Sequence, residues 1–177
     1  MRRAGLLPGA ALVLLAACAQ SPAPLPAAYD SPPRYLLPNA SLLPDYGVAQ
    51  AAVVDPAIWA RYLGIAPVRY ENHVYKTRND TYLDHIEVLE FSGAPEARRA
   101  YDAYPGYLAT YAPCAARTTL ALGVEHFACD NAGQVTSEFY LVVALSGSRL
   151  VAAHTHDPVS PPPDLVEHAR RTLALLA

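Results

Sequence analysis

Two cysteines, a histidine pair and a run of tyrosines are the residues whose types and spacing could do chemistry in this sequence. Cys114 and Cys129 stand 15 residues apart. In an oxidising compartment an even pair of this kind is expected to form a disulfide; two buried free thiols are the alternative. No Cys-x-x-Cys spacing is present, which argues against thiol exchange as the function. His154-Thr155-His156-Asp157 has metal-like spacing. Residues i and i+2 of a strand point to one side, so both imidazoles could reach one ion with a loop carboxylate nearby. Glu125 and His126, at the far end of the same predicted meander, are candidate further ligands. A zinc site needs three or four donors, and histidines near a strand end also occur simply as surface residues.

Tyrosine is over-used: the chain has 12, with Tyr101, Tyr104, Tyr107 and Tyr111 falling within eleven residues. Rigid amphipathic rings suit recognition surfaces, and Tyr107 and Tyr111 are the candidates for one. Tyr101 and Tyr104 lie on the apolar side of their predicted helix, where tyrosines also serve as filler between helix and sheet with their hydroxyls reaching water. Hydrolytic chemistry finds little support. Ser146 and Ser148 sit in a turn without a Gly-x-Ser-x-Gly elbow. Glu87 and Glu90 fall on opposite faces of a strand and cannot act as a carboxylate pair. The nine glycines are scattered through turns and form no phosphate-cradling loop. No catalytic residue and no cofactor are expected.

The N-terminus carries export signals in order. Arg2 and Arg3 precede an apolar run from Leu6 to Leu15, and small residues follow. The run is too short for a permanent membrane-spanning helix, which needs roughly 20 apolar residues. The tetrad Leu15-Ala16-Ala17-Cys18 resembles the bacterial lipobox. That resemblance implies cleavage ahead of Cys18, acylation of its thiol and attachment to a membrane through lipid. Several acyl chains, at about 0.8 kcal/mol per buried methylene, would make the attachment effectively permanent. Ala19 after the cysteine, in place of aspartate, implies outer-membrane sorting in a cell with two membranes.

The chain has 13 basic and 16 acidic residues; losing Arg2 and Arg3 with the leader leaves 11 basic and a net charge of −5. An acidic chain lacks the footprint that nucleic acid or anionic headgroups require. Residues 1–17 thus read as signal peptide and 18–51 as a proline-rich tether, with Pro22, Pro24, Pro26, Pro32, Pro33, Pro38 and Pro44 favouring extended geometry. The density of Tyr35, Leu36, Leu37, Leu42, Leu43 and Tyr46 predicts that Tyr35 to Tyr46 docks on the domain. Residues 52–177 form one domain, long enough for a single core.

The elements that must position these residues follow from periodicity. Asp55-Pro56 opens a helix that Gly64 stops. Val68 to Lys76 and Tyr82 to Phe91 read as strands. A second helix begins near Ser92 and is expected to end at Pro105-Gly106, with a short further turn at Tyr107 to Tyr111. Thr118 to Cys129, Gln134 to Ala144 and Leu150 to His156 form a meander, and Pro163 opens a terminal helix whose stripe is Leu165, Val166, Ala169, Leu173 and Leu176. The order α-β-β-α-β-β-β-α predicts an α+β domain, an antiparallel sheet of about five strands ending in a three-strand meander, with helices packed on it. This element order, with the segment Ile86-Glu87-Val88-Leu89-Glu90-Phe91 and the cysteine-bearing meander, resembles small exported sensor-type domains of bacterial lipoproteins related to mycobacterial kinase extracellular domains. The expectation is a lipid-anchored envelope domain of binding or sensor type, non-enzymatic, facing the periplasm or exterior. An envelope protein, a glycan or a small ligand is its expected partner. The alternative is a metal-binding or metalloenzyme domain built on His154 and His156.

Overall fold

In the computed structural model, residues 35–38, 40–77, 83–111, 113–114, 116–131, 139–155 and 162–177 are described. By its contacts the chain divides after Pro32, and every described residue lies in the unit Pro33–Ala177. Cys18, His156 and Asp157 fall outside the described residues.

Among the described residues seven strands form one sheet: β1 (Tyr46–Val54), β2 (Arg69–Thr77), β3 (Leu83–Glu90), β4 (Ala116–Thr118), β5 (His126–Asp130), β6 (Tyr140–Ser146) and β7 (Arg149–Thr155). Their order is β1-β2-β3-β7-β6-β5-β4, and all neighbours are antiparallel. Two meanders, β1 to β3 and β4 to β7, are therefore sewn together at the centre by the β3–β7 ladder. Three helices cover the sheet: α1 (Ala57–Leu63), α2 (Ala94–Tyr111) and α3 (Pro163–Leu176).

The α+β class holds, but the sheet has seven strands where about five were expected. The two extra strands are its edges. β1 alternates weakly because an edge strand rich in alanine buries little, and no position in Gly47–Val54 is fully buried. Residues 46–51, assigned from sequence to the tether, belong to this strand. The expected strand from Thr118 to Cys129 is broken into β4 and β5 around Gly123, whose φ of 75° suits a turn and not a pleated strand.

Strand parity divides the core in two. Tyr70, Leu89, Phe127, Cys129, Leu141, Val143, Leu150 and Ala152 face α1 and α2. Ile86, Val88, Ala128, Val142, Val151 and Ala153 face α3. Gly64 closes α1 in the left-handed region, its N–H bonding the Ala60 carbonyl, and Asp55 accepts the Ala57 N–H at the other end. The expected stop at Pro105 does not occur; α2 runs on to Tyr111. A proline inside a helix forfeits one backbone bond and costs roughly 3 kcal/mol. Burying Tyr104 and Leu108, one turn apart on the sheet side, returns a comparable amount at about 1.5–3 kcal/mol for a fully buried large side chain.

The α3 face hides a polar network that periodicity could not show. Helix α3 buries His168 and Thr172 alongside Leu165, Ala169, Leu173 and Leu176. His168 Nδ1 lies 2.6 Å from Asp84 Oδ2, and its ring stacks on Tyr75. Beside it, the fully buried Glu71 accepts the Leu36 N–H at 2.7 Å, the Leu37 N–H at 3.4 Å and the Arg69 Nε–H at 2.7 Å, and lies 3.1 Å from His73 Nε2. A carboxylate held by two successive backbone amides clamps the segment from Tyr35 to Leu43 against this face. Leu37, Leu42 and Leu43 then complete the core. Arg171 caps the Leu42 carbonyl, and Tyr46 donates to Asp164.

Candidate functional site

On the opposite face the sheet and the helix pair α1–α2 do not close completely. They enclose a cavity of about 470 Å³. Its origin lies in one rung of the sheet, where register sets Ala52 beside Asn72, Asn72 beside Glu87, and Glu87 beside Ala152. Two short and two polar side chains there leave the helices unsupported over the centre. Roofing it, α1 contributes Ile58, Trp59 and Tyr62, and α2 contributes Tyr104, Tyr107 and Leu108.

The aromatic wall is continuous. Trp59 has ring centroids of Tyr62, Tyr70, Tyr104 and Tyr107 at 6.2, 5.7, 5.8 and 5.6 Å. Tyr107 meets Tyr104 at 90° and lies 5.1 Å from Tyr62. Trp59 meets Tyr62, Tyr70 and Tyr107 edge-to-face, the geometry that ring quadrupoles favour, while its pairing with Tyr104 is tilted at 33°.

The floor is polar. Tyr70 donates to Glu87 Oε1 at 2.9 Å. Asn72 Oδ1 is buried without a hydrogen-bond partner. Burial pushes the Glu87 carboxyl up to about 7, against a smaller downward pull from the Tyr70 hydroxyl. Glu87 is half-buried, open to the cavity, and the atoms around it are mostly apolar and aromatic. Burial first, then the charge of Glu87, also drives Tyr70 and Tyr104 well above the ordinary phenol range.

The sequence-derived candidates fall into different places. Tyr107 lines the cavity, whereas Tyr111 ends α2 and its side chain is outside the described set. Tyr104 is both buried filler and cavity wall, so the two roles weighed for these tyrosines merge in it. Tyr101 packs on Phe127 away from the cavity. Cys114 and Cys129 are joined as a disulfide, tying the end of α2 to β5.

Of the four metal candidates, His156 lies outside the described residues and the other three are not gathered. His154 stands on the cavity face of β7, its ring stacked at 4.6 Å on His85 of β3. His126 lies on the α3 face, two strands away, where its Nε2 accepts the Leu120 N–H and its Nδ1 lies 2.8 Å from the Val124 carbonyl. Glu125 is exposed and engaged by Arg98, whose hydrogen bonds hold its carboxyl below the usual range. Among the described residues no group of three or more His, Cys, Asp or Glu side chains is placed to hold a metal ion. Glu87 and Glu90 do lie on opposite faces, Glu90 bonding Arg149 across the β3–β7 ladder.

Sequence reasoning missed Trp59, Asn72 and His85 as site residues. The available signal was a charged residue, Glu87, at the centre of a strand whose neighbours Ile86, Val88 and Leu89 are all apolar. Among the described residues no helix is long and apolar enough to cross a membrane.

No protein-family model matches this chain, and no curated protein matches it. Among solved structures, the extracellular domain of PknH from Mycobacterium tuberculosis aligns over 75% of this chain and 84% of its own, with 7% identity and a TM-score of 0.49. A GTP-binding regulator from Thermotoga maritima aligns over 73% of this chain and 78% of its own, with 16% identity and a TM-score of 0.44. Neither transfers a residue role to this chain.

Proposed function

We propose that this protein is a lipid-anchored envelope component whose domain binds a small ligand in the cavity between the sheet and helices α1 and α2. The observation that carries the reading is the cavity itself: about 470 Å³, walled by Trp59 and four tyrosines and floored by Glu87 and Asn72. Ligand sites are typically concave spaces of roughly 300–1,000 Å³ with apolar walls and a few converging polar groups. A buried acceptor left unpartnered, as Asn72 Oδ1 is, costs free energy that a ligand donor could recover. Among the described residues of the lining no serine, cysteine or carboxylate pair is placed for nucleophilic or paired acid–base work, and the reading is binding without turnover.

Trp59 is the single tryptophan of the chain, so its emission reports directly on the cavity. Titration with a panel of muropeptides, glycans, aromatic compounds and organic cations is expected to give at least one saturable change in emission with a matching rise in melting temperature. Tyr107→Ala should weaken that response at least about tenfold, as loss of an aromatic anchor does. A panel that leaves emission and melting unchanged would sink the reading.

The anchor is a separate part of the proposal. Cys18→Ala is expected to abolish acylation and move the protein from the membrane to the soluble fraction, or leave its precursor uncleaved. Mutant protein that is processed and membrane-bound like wild type would refute the lipid attachment without touching the cavity.

A further inference from the structure

We propose that the ligand of this cavity carries an alkylated ammonium group, seated against the aromatic wall and facing the Glu87 carboxylate. The inference rests on the reading of the cavity as a ligand site and assigns the ligand's chemical class.

Three features point the same way. First, the polar groups of the floor favour donors and positive charge. Glu87 offers a carboxyl that receives one hydrogen bond among the described residues, and Asn72 Oδ1 receives none. Among the described residues no lysine or arginine lines the cavity. Among the described residues there, the Trp59 indole N–H is a buried donor without an acceptor in bonding geometry, and it is neutral. A half-buried acid with no lysine or arginine among the described residues of the lining leaves a place for positive charge, which a cationic ligand fills.

Second, the wall is built of π-systems. Ring faces carry negative electrostatic potential and attract cations within about 6 Å, with tryptophan the strongest. Trp59 and Tyr107 cross at 74°, and Tyr107 and Tyr104 at 90°, so the rings form corners suited to a rounded group and not a slot for a flat one.

Third, the polar groups lie at one end of the space. Glu87 and Asn72 are on the floor, and the rest of the described lining, His154 apart, is aromatic or aliphatic. Alkyl groups on a nitrogen bury against such walls, and an alkylated ammonium is cheaper to dehydrate than a primary one.

The arrangement has a signature in pH. Burial sets the Glu87 carboxyl at about 7, and a bound cation favours its ionised form, so binding releases a proton below that value. Affinity should therefore rise as pH climbs to about 7 and level off above it. The groups facing Glu87 are Tyr70 on β2, His85 on β3, His154 on β7, Tyr62 on α1, and Tyr104 and Tyr107 on α2. Burial moves Tyr70 and Tyr104 away from ionisation, leaving the two imidazoles as the competing source of any pH dependence.

The test is titration of the full chain, in a maltoside detergent, with choline and with dimethylbutanol, in which carbon replaces the quaternary nitrogen. Trp59 emission and calorimetry read the binding. Choline is expected to bind about tenfold more tightly than dimethylbutanol at about pH 8, a preference that shrinks at about pH 5.5 to the part the aromatic wall supplies. Glu87→Gln, which keeps the shape and the Tyr70 contact, should lower the preference to that same part and remove its pH dependence. Dimethylbutanol binding as well as choline overturns the cation assignment while leaving the ligand-site reading intact. So does binding of another panel compound when neither probe binds. Silence of every compound removes both readings together. A pH dependence that survives in Glu87→Gln belongs to His85 and His154 and overturns the role given to the carboxylate.

Discussion

Replacing Glu71 with alanine is expected to destabilise the domain by about 3–5 kcal/mol, the range for removing one partner of a buried charged pair. The loss is large because Glu71 serves four donors at once. Without it the Leu36 and Leu37 amides, Arg69 and His73 lose their acceptor inside a dry face. The segment it clamps carries Leu37, Leu42 and Leu43 into the core, so their burial weakens with it. Urea unfolding of wild type and Glu71→Ala measures the difference. Limited proteolysis should find the mutant cut first between Pro38 and Asp45. A change below about 1 kcal/mol, the value of an ordinary exposed substitution or surface pair, would show that the clamp is dispensable. The same residue predicts an acid limb. Burial pushes its carboxyl up, but hydrogen bonds from His73, the Leu36 amide and Leu37, with the charge of Arg69, outweigh it and hold the pKa below the ordinary value. A carboxyl lowered in the folded state contributes its full stability above its unfolded pKa and loses it as pH falls through the folded one. Glu71→Gln should therefore flatten the fall in stability on the acid side of the ordinary carboxylate range.

Opening the Cys114–Cys129 disulfide is the second large effect. It closes a loop of sequence separation 15, for which the chain-entropy account gives about 3 kcal/mol. Cys129 is buried under α2, on the same rung of the sheet as Leu141 and His154, so the bond also pins the C-terminal end of α2 to β5. Reduced protein, or Cys114→Ser with Cys129→Ser, should unfold at correspondingly lower urea. Part of the loss should be local, with faster amide exchange over Leu108 to Tyr111 than over Ala97 to Tyr101. Alkylation and mass mapping of native protein should find neither thiol free. Two alkylated cysteines, or identical unfolding curves with and without reductant, would contradict this.

The parts of the fold legible in the sequence were those where one face is dry and the other wet. The stripe Leu165, Ala169, Leu173 and Leu176 of α3 and the stop at Gly64 of α1 are of this kind. β7, by contrast, is buried on both faces and was legible as an apolar run after the Ser146-Gly147-Ser148 turn, found from Arg149 to Thr155 against an expected Leu150 to His156. Legibility failed where tertiary context overrides a local signal. Pro105 normally ends a helix, but α2 continues because the sheet beneath it rewards the next turn. β1 carries no alternation because its position at the edge asks for none. The candidate site was half visible. Clustered tyrosines flagged Tyr107, but the register that sets Asn72 beside Glu87 and short alanines on either side is a property of strand pairing, not of any segment. Likewise, nothing local marks Glu71 and His168 as buried; their partners come from residues 34 and 84 positions away.

That last circumstance bears on when the protein can fold. The central ladder joins Glu90 to Arg149 across 59 residues, and the contacts sealing the α3 face, Tyr46 to Asp164 and Arg171 to Leu42, span 118 and 129. The first meander alone has one apolar face bare until β7 and α3 have been supplied. With the final helix needed to cover what the first strands present, a chain emerging N-terminus first has little to gain from early collapse. Contacts of such sequence separation slow folding, because loop closure precedes any compensating burial. The architecture thus favours a chain that stays loose until its last residues are released and then closes as a unit.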